Sequence, residues 1–262
     1  MNEYEVIKKI FYPLSFKKEF SLDLDDDAGL LPNKKQIVVG TDSIVEGDHF
    51  QKNEKNPLLI AKKLLRVNLS DLASMGANPF GYTLNLSLPK KLNKKELLKW
   101  IKLFAKGLKQ DQSKYKIKLL GGDTVITNGP LVLSITLFGY KKKKITKRSD
   151  AKLYDDIYVT GNIGDSGIGY KILLKKLNLN RNLNKFYINQ HKLPNPPIEF
   201  GKKLAEFANS ATDISDGLLA DLNNIILSSK CGAKIYSENI PFTKQTKKLL
   251  SLKKIDIILI FS

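Results

Sequence analysis

Between residues 56 and 138 the chain alternates two periodicities, and that alternation restricts the fold more than any other feature. Asn56-Pro57 reads as a helix N-cap followed by proline at the first helical position. Apolar residues then recur at helical spacing through Leu64, Leu65, Leu69 and Leu72 to Met75, and Gly76 supplies the stop. Leu84, Leu86 and Leu88 alternate with Asn85 and Ser87, the period of a strand, which Pro89 is expected to end. Asn93 and Glu96 form a capping-box pattern that opens a second helix through Leu97, Trp100, Ile101 and Phe104. Two more strands are expected near residues 117–120 and 131–138.

The basic stretch 141–148 reads as a link, so the expected organisation is an N-terminal domain over 1–140, a linker over 141–150 and a C-terminal domain over 151–262. In the second part, residues 157–160 are predicted to form a strand ended by Gly161-Asn162. Helices are predicted near 166–177, 198–209 and 218–229, and a last strand at 257–261.

Composition removes several classes of protein. With 42% hydrophobic and 27% charged residues, the chain is globular in type. Cys231 is the one cysteine, which rules out an internal disulfide and suits a reducing compartment. Residues 1–10 are polar with two glutamates, unlike a signal peptide, and the apolar run 257–261 is too short to span a bilayer. A soluble, cytoplasmic protein with no membrane partner is expected. The net charge of +18 is spread along the chain, with one short lysine run at 141–144, so no nucleic-acid partner is expected.

The chemically informative residues are aspartates at element boundaries beside apolar sequence. Asp25, Asp26 and Asp27 are consecutive; Asp42 follows the strand at 37–39; Asp71 is near a helix C-terminus, where the dipole disfavours it. Asp123 follows Gly121-Gly122, and Asp213 and Asp216 flank Ser215. Each alone reads as a cap or turn residue, and Asp216 could cap the helix after it. Together they suggest carboxylates gathered around cations, since like charges at one site repel otherwise. Oxygen ligands of this kind suit magnesium with substrate phosphates, and one cysteine with two histidines argues against zinc. Gly121-Gly122-Asp123-Thr124 lets backbone N–H groups approach an anion. No Walker A or protein-kinase signature is present.

These segments resemble the thiamine-monophosphate kinase family, within the superfamily named after aminoimidazole ribonucleotide synthetase. The resemblance rests on Asp26-Asp27-Ala28, on Thr41-Asp42-Ser43-Ile44-Val45-Glu46-Gly47-Asp48-His49-Phe50, and on Val67-Asn68-Leu69-Ser70-Asp71-Leu72-Ala73-Ser74-Met75-Gly76-Ala77. It continues in Gly121-Gly122-Asp123-Thr124, Gly129-Pro130-Leu131, Arg148-Ser149, Tyr158-Val159-Thr160-Gly161 and Asp213-Ile214-Ser215-Asp216-Gly217-Leu218. The resemblance implies an α+β fold, with an N-terminal α/β sheet domain of the aminoimidazole ribonucleotide synthetase type and a C-terminal α/β domain. It implies magnesium at Asp27, Thr41, Asp42, Asp71, Asp123, Asp213 and Asp216, with Asp27, Asp42, Asp71 and Asp123 converging at one cleft. It implies ATP at Gly122, Asp123, Arg148 and Ser215, and thiamine monophosphate at His49. A homodimer through the N-terminal domain is implied as well, with the strand at 84–88 supplying apolar surface.

The chain departs from the family pattern at Asp25, where glycine is common, and at Gly40, where serine or threonine is common. Family members also continue with a Gly-Glu-Asp-Tyr-Glu segment and on the order of fifty more residues. The C-terminal domain is therefore expected to be incomplete, with part of the thiamine pocket missing. A non-catalytic nucleotide-binding remnant is the alternative reading. Selenophosphate synthetase is disfavoured because it needs a reactive cysteine near the N-terminus, and Cys231 stands far from there.

Overall fold

The computed structural model describes residues 3–15, 37–52, 54, 56–90, 93–140 and 144–256. Helix α1 (Glu3–Val6) leads into short helical turns at Ile7–Phe11 and Tyr12–Leu14. Then come β1 (Ile37–Val45), α2 (Pro57–Ser74), β2 (Asn78–Pro89), α3 (Lys94–Tyr115), β3 (Lys118–Thr127) and β4 (Val132–Tyr140). The following helices are α4 (Asp165–Leu173), α5 (Arg181–Lys192), α6 (Ile198–Leu204), α7 (Leu218–Ser229) and α8 (Lys244–Ser251). The chain is a mixed α/β protein of two compact units, residues 1–72 with 77–143 and residues 73–76 with 144–262. Among the described residues no helix is long and apolar enough to cross a membrane.

In the first unit the strands form one sheet in the order β1-β4-β2-β3, antiparallel except for the parallel pair β2–β3. Strand alternation sorts the side chains onto two faces. Tyr82, Leu84, Leu86 and Leu88 share a buried face with Leu133, Ile135 and Leu137. Thr83, Asn85, Ser134 and Thr136 occupy the other face. The leucines of β2 are therefore consumed by the unit's own core. They do not supply the apolar docking surface expected of the strand at 84–88.

Helices α2 and α3 cover the apolar face. α2 buries Ile60, Ala61, Leu64, Leu65, Leu69 and Leu72, the i, i+4 stripe expected from its sequence. Its C-terminus closes as a Schellman turn: Gly76 has φ 70°, Gly76 N donates to Ala73 O and Ala77 N donates to Leu72 O. α3 begins with the anticipated capping box, Asn93 accepting from Glu96 N while Glu96 accepts from Asn93 N. The helices are joined by a buried ion pair, in which Arg66 Nε and Nη2 donate to the two Asp111 oxygens at 2.6 and 2.9 Å. Gln112 of α3 donates to both Leu14 O and the Tyr82 hydroxyl, tying the N-terminal turn to β2.

The second unit packs Ile163, Ile168, Ile172, Tyr187, Leu218, Ile240, Leu249 and Ile255 into its core. Beneath this core the Asp165 carboxylate accepts from Thr243 Oγ1 and Thr246 Oγ1, and the Tyr187 hydroxyl meets Thr246 Oγ1 at 3.0 Å. Two of its helices escaped the periodicity argument, although both carry a legible cap. Asn180 opens α5 by accepting from Leu183 N, and Thr243 opens α8 by accepting from Thr246 N. Conversely, residues 157–160 form no strand among the described residues. Ile157 and Tyr158 are 47% and 85% exposed, while Val159 packs against the unit's core, and the run pairs with no strand among the described residues. The strand expected at 257–261 lies outside the described residues.

The Arg66–Asp111 pair generates a stability prediction. Asp111→Ala strands a buried guanidinium and should lower the unfolding free energy by about 3–5 kcal/mol, measured by chemical denaturation. The double change Arg66→Met with Asp111→Leu should lose far less, because it removes both charges together.

Candidate functional site

Among the described residues β1 is an edge strand, and it extends past the point where its sequence suggested it would stop. Asp42 therefore lies within the strand, not after it, opposite Ile135 of β4. Its side chain falls on the helix-covered face together with Gly40 and Ile44, by strand alternation. The Asp42 backbone N–H is not used in the sheet and donates to Asn68 Oδ1 of α2 at 3.0 Å. One helical turn on, the Asp71 carboxylate lies against Gly40, since a Cβ built on Gly40 would be 3.8 Å from Asp71 Oδ2. Asp71 thus faces the side of β1 that carries Asp42, against a residue about 7 Å along the strand from it.

Burial raises the Asp42 pKa above the ordinary aspartate value of 3.8, and His49 nearby partly offsets that. The carboxyl keeps solvent contact, yet the surrounding chain disfavours its charge. His49 sits in a tight turn after β1: its Nδ1 accepts from Val45 N, its N–H donates to Val45 O, and its carbonyl accepts from Lys63 Nζ of α2. It is a turn residue and also a neighbour of Asp42. With Nδ1 accepting, the ring proton of the neutral form is on Nε2.

Thr41 alternates to the opposite face of β1, where its hydroxyl donates to Ile135 O at 2.9 Å and lies 3.2 Å from Thr136 Oγ1. Asp123 is inside β3, not at its end, paired with Asn85, which in turn pairs with Ser134. That row belongs to the polar face. Among the described strands β3 and β1 are the two edges of the sheet, about 14 Å apart by strand spacing. Within one chain the sheet brings Asp42, Asp71 and His49 together but leaves Asp123 on the other face and the other edge. The convergence of Asp123 with Asp42 and Asp71 is therefore not found in a single chain, because the strand order separates them. Asp27 lies outside the described residues. At Gly122 a side chain would run into the Leu84 carbonyl of β2, so the glycine is required by the β2–β3 approach whatever it binds.

In the second unit, Arg148 and the 210–216 segment are held together. Arg148 Nε donates to Thr212 Oγ1, while the Arg148 carbonyl accepts from Ser210 and Ser229 hydroxyls. Asp213, Ser215 and Asp216 follow on the same segment. Asp216 does not cap α7; the N-cap is Gly217, which makes no side-chain cap bond. The turn is fastened instead by buried Asp221, which accepts from both Ser215 N and Asp216 N at 2.8 and 3.0 Å. Neither Asp221 nor Asn68 has a role of its own in the sequence reading. The available signals were an acidic residue in a helix first turn and an asparagine inside an apolar helical run, where its propensity is poor.

Among the described residues no three His, Cys, Asp or Glu side chains gather closely enough to hold a metal ion. Asp42 and Asp71 nevertheless fit part of a site for a hard dication. They are oxygen donors on one face, and the fold leaves the charge of Asp42 incompletely compensated.

Both units match known domains: residues 25–140 match the AIR synthase related protein N-terminal domain, and residues 155–262 match the C-terminal domain of the same group. The class is thus that of the AIR synthase related proteins. Thiamine-monophosphate kinase from Buchnera aphidicola subsp. Schizaphis graminum is 40% identical over 248 residues, 93% of this chain and 74% of that protein. The crystal structure of thiamine-monophosphate kinase from Stenotrophomonas maltophilia K279a superposes with a TM-score of 0.81 at 35% identity, covering 97% of this chain and 80% of that one. AaThiL complexed with AMPPCP and TMP superposes with a TM-score of 0.79 at 28% identity, covering 99% and 81%. The chain belongs to the thiamine-monophosphate kinase family.

Three outcomes follow from this geometry. Gly40 has no positive φ, and a Cβ there would meet the Asp71 side chain at ordinary contact distance, so Gly40→Ala should raise stability by about 0.4–1 kcal/mol in denaturant titrations. Gly122→Ala should instead lower it, by breaking the β2–β3 approach. For Asp42 the folded-state pKa exceeds the unfolded one, so its contribution to stability is full below the unfolded value and falls as pH rises through the folded value. Asp42→Asn should therefore melt higher than wild type at neutral pH without divalent cations, and the gap should close below about pH 4.

Proposed function

We propose that this chain transfers the γ-phosphoryl group of ATP to thiamine monophosphate, forming thiamine diphosphate and ADP. The observation that carries this reading is the likeness along 99% of the chain to AaThiL, a structure holding AMPPCP, an ATP analogue, and TMP. An oxygen of the acceptor phosphate attacks the γ-phosphorus, the bond to the β,γ-bridging oxygen breaks, and the electron pair leaves on ADP. The acceptor phosphate has a second pKa of about 6, so it is already anionic and no side chain has to take a proton. No general base is assigned.

The task for the protein is to bring two polyanions together. We assign Asp42 and Asp71, with Asp27, Thr41, Asp123, Asp213 and Asp216, to magnesium binding. Magnesium, when bound, would neutralise phosphate charge and align the in-line transfer. Donation of the Thr41 hydroxyl proton to Ile135 O leaves its lone pairs available as acceptors. Arg148 offers a guanidinium fork to a phosphate, beside the turn carrying Ser215, with Gly122-Asp123 as the other ATP contact. His49, next to Asp42, is assigned to the thiamine phosphate. We place the enzyme in the cytoplasm, with residues 141–150 linking its two domains.

We further propose a homodimer through the N-terminal domain. The polar face of the sheet carries Thr83, Asn85, Ser134 and Thr136, with Val39 and Val125 exposed on the edge strands. A second copy on this face, related by a two-fold axis, would bring the Asp123 edge of one chain toward the Asp42 edge of the other.

Purified chain with magnesium and ATP should form thiamine diphosphate only when thiamine monophosphate is present, read by chromatography. Product formation independent of the acceptor, or none at all, would sink the reading. Asp42→Asn and Asp123→Asn should each lose at least about a hundredfold in rate, near 2.7 kcal/mol, while keeping their circular dichroism. Mixing the two inactive variants should recover up to about a quarter of wild-type rate if sites are shared across a two-fold dimer. A strict monomer at micromolar concentration would overturn the dimer, and no recovery on mixing would overturn the shared site.

A further inference from the structure

Asn68 is 1% exposed and sits between Val67 and Leu69 in the middle of α2. A buried polar side chain at such a place requires hydrogen-bond partners to be tolerated. Asn68 has partners that fix it at both ends: its Nδ2 donates to Leu64 O, the carbonyl four residues back in its own helix, at 2.9 Å. That bond orients the amide so that its oxygen points away from the helix, and Asn68 Oδ1 accepts the Asp42 backbone N–H at 3.0 Å.

The bond answers a specific need of the sheet. β1 is an edge strand, and at Asp42 its N–H points away from β4. An unpaired N–H there would leave the strand free to move relative to the helix beneath it. The same helix carries Asp71 three residues after Asn68, on the same face and against Gly40 of β1. Asn68 therefore clamps the Asp42 backbone to the helix that bears Asp71. We infer that Asn68 is a positioning residue: its side-chain bridge from Leu64 O to the Asp42 N–H sets the separation of the Asp42 and Asp71 carboxylates and so their capacity to share a divalent cation. The inference rests on the magnesium reading of those two aspartates.

The test uses the whole chain with magnesium and AMPPCP as probe. Hydrogen exchange of β1 is followed by NMR, and magnesium half-saturation by calorimetry and by rate. Asn68→Ala should speed exchange of the Asp42 amide by about tenfold or more and raise the magnesium concentration for half-saturation by a similar factor. The KM for thiamine monophosphate should stay within about twofold. Leu69→Ala, which truncates a fully buried neighbour on the same helix, is the control for lost stability. It should leave magnesium half-saturation near the wild-type value. Wild-type chain that binds no magnesium would sink the magnesium reading and this inference with it. Wild-type binding with unchanged magnesium dependence in Asn68→Ala, or an equal shift in Leu69→Ala, would overturn the inference alone.

Discussion

Everything in the first unit depends on covering one face of a four-stranded sheet. β2 and β4 present an unbroken apolar surface of Tyr82, Leu84, Leu86, Leu88, Leu133, Ile135 and Leu137. Each such side chain contributes about 1.5–3 kcal/mol when removed from water. α2 is the element that meets β1 and β4, and its stripe of leucines fixes its rotation about its own axis. Once Leu64, Leu65, Leu69 and Leu72 point into the core, Asn68 and Asp71 are left facing the edge strand β1. The site chemistry is thus indexed by the hydrophobic packing.

This arrangement sets stability against function at Asp42. The surrounding chain raises its pKa, so its charge at neutral pH is disfavoured by the fold. A carboxylate in that condition gains from a cation more than an exposed one does. Asp123, on β3, accepts from Thr124 N through its own Oδ1. Asp42 and Asp123 differ in position, lying on different faces of the sheet.

In the second unit, buried side chains also hold the backbone from which the candidate groups project. Asp221 fastens the turn at Ser215 and Asp216, and Ser210 and Ser229 fasten the carbonyl of Arg148. In each unit a polar residue with no assigned contact to substrate organises those that have one, Asn68 in the first and Asp221 in the second.

Local rules written in the sequence were enough for elements whose determinants are close neighbours. The Asn93–Glu96 box, the Gly76 stop and the Leu84–Leu86–Leu88 alternation all act within a few residues, and each is found as read. The Asn180 and Thr243 caps were equally local and were passed over. The family was also legible, because its motifs are strings of adjacent residues. What tertiary structure alone decided is where those strings meet. Strand order put Asp42 and Asp123 on opposite edges, and a pleat that reverses every residue put them on opposite faces. Neither order nor register is encoded locally, since both depend on which strands find each other across many intervening residues. For the same reason the leucines of β2 faced inward to α2 and α3 rather than outward to a partner, and Asn68 became a clamp only when the helix was laid against β1.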